Sequence, residues 1–302
     1  MHKMKQAATE SQRMKLTPAN NAFRECEAYS CQHQTRLSPF LPGQLRYNML
    51  STRSGTINST MNQPPFAAVS LAAATIAAGT FAYAALSPQS QLFGKTVVAS
   101  RSPNEIALTY DDGPNDIATE RLLDVLGRHD VRATFFLIGR FVSQRPQIAR
   151  AIAAAGHLIG NHTMTHPWLA WQSDNRIREE LTGCNAALED ALGQPVRYFR
   201  PPHGARRPYV LRTARELGLT PVQWNVMTGD WNPVSAETIA NRAIRGVTRN
   251  RKKQRASNIL LHDGGDRSLG APRLPTVEAT DNLLRLYNKQ TGTEFVTVDS
   301  WR

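Results

Sequence analysis

The sequence predicts an α/β fold, a distorted and incomplete (β/α)7-type barrel over residues 103–302. Two observations point to it. Short apolar runs alternate with helical patterns over about 200 residues, as parallel strands joined by crossover helices do. The chemically active side chains cluster just after those runs, at the strand C-termini where barrels of this type build their sites. Seven apolar runs rather than eight make the barrel incomplete.

Strands are expected at 105–110, 133–138, 157–160, 197–200, 221–226, 257–262 and 294–298. Helices are expected at 116–128, 144–155, 174–192, 208–217, 235–249 and 276–290. The first strand runs from Ile106-Ala107-Leu108 into Thr109-Tyr110-Asp111-Asp112-Gly113-Pro114, where Gly-Pro stops it and turns the chain. Adjacent acids at a strand end repel each other and call for a cation or a proton to relieve them.

Upstream the composition changes. Residues 1–65 are rich in Ser, Thr, Asn, Gln and Pro, lack a sustained apolar period and are expected to be disordered. Met49 and Met61 leave the translation start open. Phe66 to Leu86 is uncharged and dominated by Ala. At about 1.5 Å per residue it is long enough for a bilayer of about 30 Å. Ala82-Tyr83-Ala84 also has the A-x-A form that precedes signal-peptidase cleavage. The segment is therefore read as a cleaved signal peptide or a membrane anchor. The basic excess before it keeps the N-terminus cytoplasmic and sends the rest across, to the periplasm, the exterior or the outer face of the membrane. Residues 87–102 form a polar linker.

The 302-residue chain carries 36 Lys+Arg against 24 Asp+Glu, a formal charge of +12. Residues 1–60 hold eight basic and three acidic residues, a balance of +5, leaving +7 for the remainder. Such a charge suits a membrane or other anionic envelope surface. There is no zinc-finger spacing, RNP-like aromatic motif or helix-turn-helix signature, so no specific nucleic acid is expected. A basic run from Arg242 to Arg255 ends a predicted helix; it reads as a solvated, dipole-favoured end or as a contact for an anionic polymer or lipid. Of three cysteines, Cys26, Cys31 and Cys184, none has metal-type spacing, and Cys184 fits a small buried apolar position.

His162 and His166 follow the third expected strand, four residues apart, so a helical turn would aim both imidazoles the same way. With the acid pair they form a His₂-carboxylate set, which leaves a coordination position open for water as a catalytic site requires. One Asp serves as ligand and the other is free to take a proton. Phe199-Arg200-Pro201-Pro202-His203-Gly204 makes a rigid loop with an arginine able to pair with a carboxylate. Met227-Thr228-Gly229-Asp230-Trp231 brings an acid and an aromatic to the same rim, and His262 ends the sixth run, where its titration range suits a proton donor.

In this order TYDDGP, HTMTH, FRPPHG, GDW and LLHD resemble the five motifs of the NodB-homology polysaccharide deacetylases, carbohydrate esterase family 4. Arg132-Ala133-Thr134-Phe135-Phe136 also matches a strand typical of that family, and the resemblance spans residues 103 to about 300. It implies a general base at Asp111, metal ligands at Asp112, His162 and His166, and a base-orienting Arg200. It implies a general acid at His262, with Asp230 supporting either Arg200 or His262. Pro202, His203, Trp231 and Leu260 would meet the substrate, the last two around the acetyl methyl group.

The implied cofactor is a divalent metal, Zn²⁺ first, with Co²⁺, Mn²⁺ or Ni²⁺ compatible. The implied reaction is hydrolysis of acetyl groups on an N-acetylated amino-sugar polymer such as chitooligosaccharide, peptidoglycan or another envelope polysaccharide. Relatives that act on O-acetylated xylan or cyclic amides supply the alternative within the family. An inactive carbohydrate-binding module is the alternative outside it. Two departures stand out: His203 occupies a position where the family often has Tyr, and Met227 replaces the first acid of D-x-x-D-W.

Overall fold

The computed structural model describes residues 66–301, without the side chains of 66–69 and 72. The expected disorder at 1–65 and the cysteines Cys26 and Cys31 lie outside the described residues. In chain order the first half contains α1 (Phe66–Leu86), β1 (Glu105–Gly113), α2 (Ala118–Arg128), β2 (Thr134–Leu137), α3 (Gly139–Gln144), α4 (Pro146–Ala154), β3 (Leu158–Asn161) and α5 (Asp174–Leu192). The second half contains β4 (Tyr198–Phe199), α6 (Pro208–Glu216), β5 (Thr220–Pro221), β6 (Val226–Met227), α7 (Ala236–Lys252), β7 (Ser257–His262), α8 (Leu274–Tyr287) and β8 (Glu294–Phe295).

All pairings are parallel, in the order β5-β4-β3-β2-β1-β7-β6, with β8 on the start of β1. The sheet is a curled half-barrel with helices against it, and β1 lies in its interior between β2 and β7. From Ile106 to Gly113 β1 is buried throughout, as a strand covered on both faces must be. Its alternation still sorts the side chains. Ile106, Leu108 and Tyr110 join Leu122 and Leu126 of α2 and Leu283 and Leu284 of α8 in the main core. Ala107 falls on the other face with Phe136 and Tyr198. The same period of two places Thr109 and Asp111 on that second face, inside the curl.

Two expectations are corrected. The run at 221–226 is two short strands, β5 and β6, which form opposite edges of the sheet, so the strands number eight among the described residues. Pro221 cannot donate to a ladder. The chain then leaves β4: the Val222 N–H bonds the Phe199 carbonyl, and the Gln223 N–H bonds the Val97 carbonyl. The helix expected at 144–155 is α4, which starts only at Pro146, and a short helix that was not expected, α3, precedes it. Cys184 is buried on α5, and burial pushes its thiol up to about 12.

Phe66–Leu86 is one helix of 21 residues. Among the described residues no helix is long and apolar enough to cross a membrane. The C-terminal end of α1 is docked: Ala84 and Ala85 are buried, and the Ala85 carbonyl accepts from the Arg206 backbone N–H at 3.0 Å. The Arg206 side chain, 1% exposed, donates to the carbonyls of Ser87 and Ser90, each at 2.8 Å, and of Gly204 at 3.0 Å. A hydrogen bond to a charged group contributes about 1.5–3 kcal/mol. Removal of residues 1–84 should therefore leave the melting temperature intact, whereas removal of residues 1–90 should lower it by roughly 10 °C. Equal melting of the two shortened chains would contradict this role for Arg206.

Candidate active site

At the C-terminal end of β1 the alternation is broken on purpose. Asp111 pairs with Phe136 and His262 on the neighbouring strands, but the register with β2 slips between Asp111 and Gly113. Asp112 takes up the slip with φ of 71°, a left-handed conformation that Asp tolerates better than most residues. Adjacent side chains on a regular strand face opposite ways. Here both carboxylates line one cavity of about 520 Å³. Gly264 secures the bend from beneath, since a Cβ there would lie 2.0 Å from the Asp112 carbonyl oxygen.

The two acids have different partners. Arg200, fully buried at the end of β4, donates through Nη1 to Asp111 Oδ1 at 2.8 Å and to Thr109 Oγ1 at 2.9 Å. Its guanidinium lies 4.2 Å from the centre of the Phe136 ring. Burial lowers the Arg200 pKa from its usual value, and the charge of Asp111 opposes that shift. Asp112 instead faces the histidines: its Oδ1 lies 3.4 Å from His162 Nε2 and 3.1 Å from His166 Nε2.

No helical turn brings the histidines together, contrary to expectation. His162 follows β3 directly, and the loop curls because Thr163 and His166 adopt φ of 68° and 65°. The His166 N–H bonds Thr163 Oγ1 at 3.0 Å, and the rings end 5.0 Å apart. Glu180 on α5 pins this loop by accepting from the Thr165 N–H at 2.7 Å and from its hydroxyl at 2.5 Å. Local pattern reading missed Glu180, whose only signal is an acid on the buried side of a helix.

Across the cavity, His262 at the end of β7 pairs through Nδ1 with Asp230 Oδ1 at 2.9 Å. Asp230 Oδ2 also accepts from the His262 N–H at 2.8 Å and from Thr276 Oγ1 at 2.9 Å. The choice left open by the sequence is thus decided geometrically: Asp230 contacts His262. Burial pulls the His262 pKa down, but the Asp230 charge outweighs it and pushes the imidazole up to about 9.

The remaining residues named from sequence are all at this end of the sheet. Leu260 is buried on β7, and Trp231, 43% exposed, meets His262 edge-on at 5.5 Å. Pro202 is buried beneath the rim. His203 has φ of 57°, stacks flat on Trp168 at 4.0 Å and meets His166 at 4.7 Å. Asp266, in the loop after β7, was not anticipated. It also lines the cavity, with Oδ2 3.9 Å from a His166 Nδ1 that has no hydrogen-bond partner.

Asp112, His162 and His166 fit a divalent metal. Their ligand atoms lie within 4.8 Å of one another. His162 Nδ1 sits 2.7 Å from the Arg200 carbonyl, so it carries the proton and turns the Nε2 lone pair towards Asp112. Asp112 Oδ1 is buried and meets no donor in hydrogen-bond geometry. Lone pairs aimed at one another across a buried space call for a cation.

Because the Asp230 charge raises the His262 pKa, an activity that needs this proton is lost as pH rises through the raised value. Asp230→Asn removes the charge that raises the pKa. The alkaline limb of the kcat/KM profile should then move to lower pH by a unit or more. An alkaline limb unchanged in Asp230→Asn would contradict this electrostatic account.

The description of the polysaccharide deacetylase family matches residues 99–222. A peptidoglycan-N-acetylglucosamine deacetylase from Bacillus cereus is 37% identical over 196 residues, which cover 65% of this chain and 67% of the relative. A chitooligosaccharide deacetylase from Sinorhizobium fredii is 39% identical over 160 residues, covering 53% of this chain and 72% of the relative. Among solved structures, a peptidoglycan N-acetylglucosamine deacetylase superposes with a TM-score of 0.62 at 34% identity, covering 68% of this chain and 91% of that one. A family 4 acetyl xylan esterase from Clostridium thermocellum, in complex with a cobalt ion, reaches 0.57 at 32% identity, with coverages of 65% and 89%. The chain that bends two aspartates into one cavity therefore belongs to the polysaccharide deacetylase family, carbohydrate esterase family 4.

Proposed function

We propose that this deacetylase removes acetyl groups from N-acetylated amino-sugar polymers of the cell envelope, with Zn²⁺ as its ion, on the outer side of the cytoplasmic membrane. The observation that carries the reading is the division of the acid pair, one aspartate held by a buried arginine and the other facing two histidines. A protonated histidine stands across the same cavity.

A divalent cation held by Asp112, His162 and His166 would supply Lewis acidity, making water more acidic and polarising the acetyl carbonyl. Asp111 is the base. Arg200 holds Oδ1, leaving Oδ2 to take a proton from the water that adds to the carbonyl carbon. The His203 backbone N–H is assigned to the developing oxyanion, a role for which a backbone donor suffices and the change from Tyr to His is immaterial. His262 delivers its proton to the departing nitrogen as the C–N bond breaks, giving acetate and a free amine. Asp230 keeps that imidazole charged and oriented. Trp231 and Leu260 wall the space for the acetyl methyl, with Pro202 stiffening the rim.

The basic charge and the export segment favour an envelope polymer. Cleavage after Ala84 would keep Ala85, Ser87 and Ser90, all three carbonyls that Arg206 uses at this junction. A topology reporter fused after Pro103 should be active outside the cytoplasm; activity confined to the cytoplasm would refute the location.

Acetate release from chitooligosaccharide, peptidoglycan fragments and acetylxylan, measured side by side, tests the reaction. Release from the two amino-sugar substrates should exceed that from acetylxylan, stop on chelation and return with Zn²⁺. Preference for acetylxylan would favour the O-acetyl esterase reading, and full activity in a metal-free preparation would refute the metal-dependent one.

A further inference from the structure

Helix α7 carries more positive charge than its packing uses. Arg242 donates to the Thr228 carbonyl at 2.9 Å. Arg251 donates to Gln290 and Thr293 at 3.0 and 2.7 Å and lies over the Tyr287 ring. Arg245, Arg249, Lys252 and Lys253 are exposed, and none has an acidic partner within 4.0 Å among the described residues. Spacings of three and four put them on one face, where like charges repel by a few tenths of a kcal/mol per pair. The helix dipole offsets this only within the last turn. Arg245 lies nearly two turns from that end, so the dipole does not explain it.

These cations line a cleft of about 720 Å³ beside β6, an edge strand of the sheet. Met227, 59% exposed, lines this cleft and the catalytic cavity alike. Met227 thus brings the near end of the cleft beside the catalytic cavity, while Arg249, Lys252 and Lys253 lie further off, towards the start of β7. The residue the two share, at the position resembling the first acid of D-x-x-D-W, is a neutral thioether and does not itself repel an anion.

We infer that the α7 cleft binds anionic groups carried by the polymer substrate itself, and that the preferred substrate is a carboxylate-bearing amino-sugar glycan rather than a neutral one. The inference rests on the deacetylase reading and adds the charge of the substrate to it. A concave cleft that shares Met227 with the reaction cavity suits a long substrate chain, whereas a lipid surface is met by a flat or convex face.

The test uses the full chain and the triple variant Arg245→Gln, Arg249→Gln, Lys253→Gln. Steady-state kinetics are measured on a peptidoglycan fragment with free stem-peptide carboxylates and on neutral chitotetraose, at low salt and in 0.5 M NaCl. For the acidic fragment the variant should raise KM by roughly five- to tenfold with kcat kept, and high salt should do the same to the wild type, because exposed charge pairs are screened. For chitotetraose KM should not change, which also certifies the variant's fold. Equal shifts on both substrates, or none on the acidic one, overturn the proposal. So does an unchanged KM accompanied by lost binding to phosphatidylglycerol vesicles, which would assign the cleft to lipid. If the wild type deacetylates neither substrate, the deacetylase reading fails. The cleft is then judged by binding of the fluorescently labelled acidic fragment, supported if salt and the variant weaken it and refuted if neither does.

Discussion

The ion pair between Arg200 and Asp111 is the constraint on which the site depends. Two charges sealed from water are stable only when paired and hydrogen-bonded, and losing either partner leaves the other uncompensated at about 3–5 kcal/mol. Thr109, two residues earlier on the same face of β1, takes a further guanidinium proton. Arg200 acts twice. Its side chain fixes Asp111, and its carbonyl accepts a hydrogen bond from His162 Nδ1–H, setting the tautomer of that imidazole. One residue at the end of β4 thus gives the adjacent aspartates different surroundings.

A second pair mirrors the first. Asp230 raises and orients His262 much as Arg200 holds Asp111, and each ion pair bridges the ends of different strands. The parallel sheet makes this possible, because every strand delivers its C-terminal residue to one rim. Curling brings those residues round a common cavity, and residues 222–225 bond to Phe199, Val97 and Asn258 between the short edge strands β5 and β6.

Much of this was legible in the chain. The continuous apolar character of β1 and β7 betrays strands buried on both faces, and polar residues directly after each run mark the rim. The split of 221–226 was not legible, because the first half meets Phe199 and the second meets Ile259 and Leu260, all far away in sequence. Spacing also misled at His162 and His166: four residues apart suggests a helical turn, yet Thr163 and His166 reach the same convergence through left-handed backbone. Such conformations are chosen by tertiary bonds, here those of Glu180, rather than by local propensity. Asp230 stood within reach of two cations in sequence terms, and only the fold puts it on His262.

The central claim is that the acid pair divides its labour, Asp111 as base and Asp112 as ligand. Metal content by elemental analysis, measured beside the rate of acetate release for Asp111→Asn and Asp112→Asn, tests it most directly. Asn at 111 still offers Arg200 an oxygen, so that variant should fold and keep its metal while the rate falls by a factor on the order of 10² to 10⁴. Asp112→Asn should lose metal and activity together. Metal lost from Asp111→Asn and retained by Asp112→Asn would contradict the account.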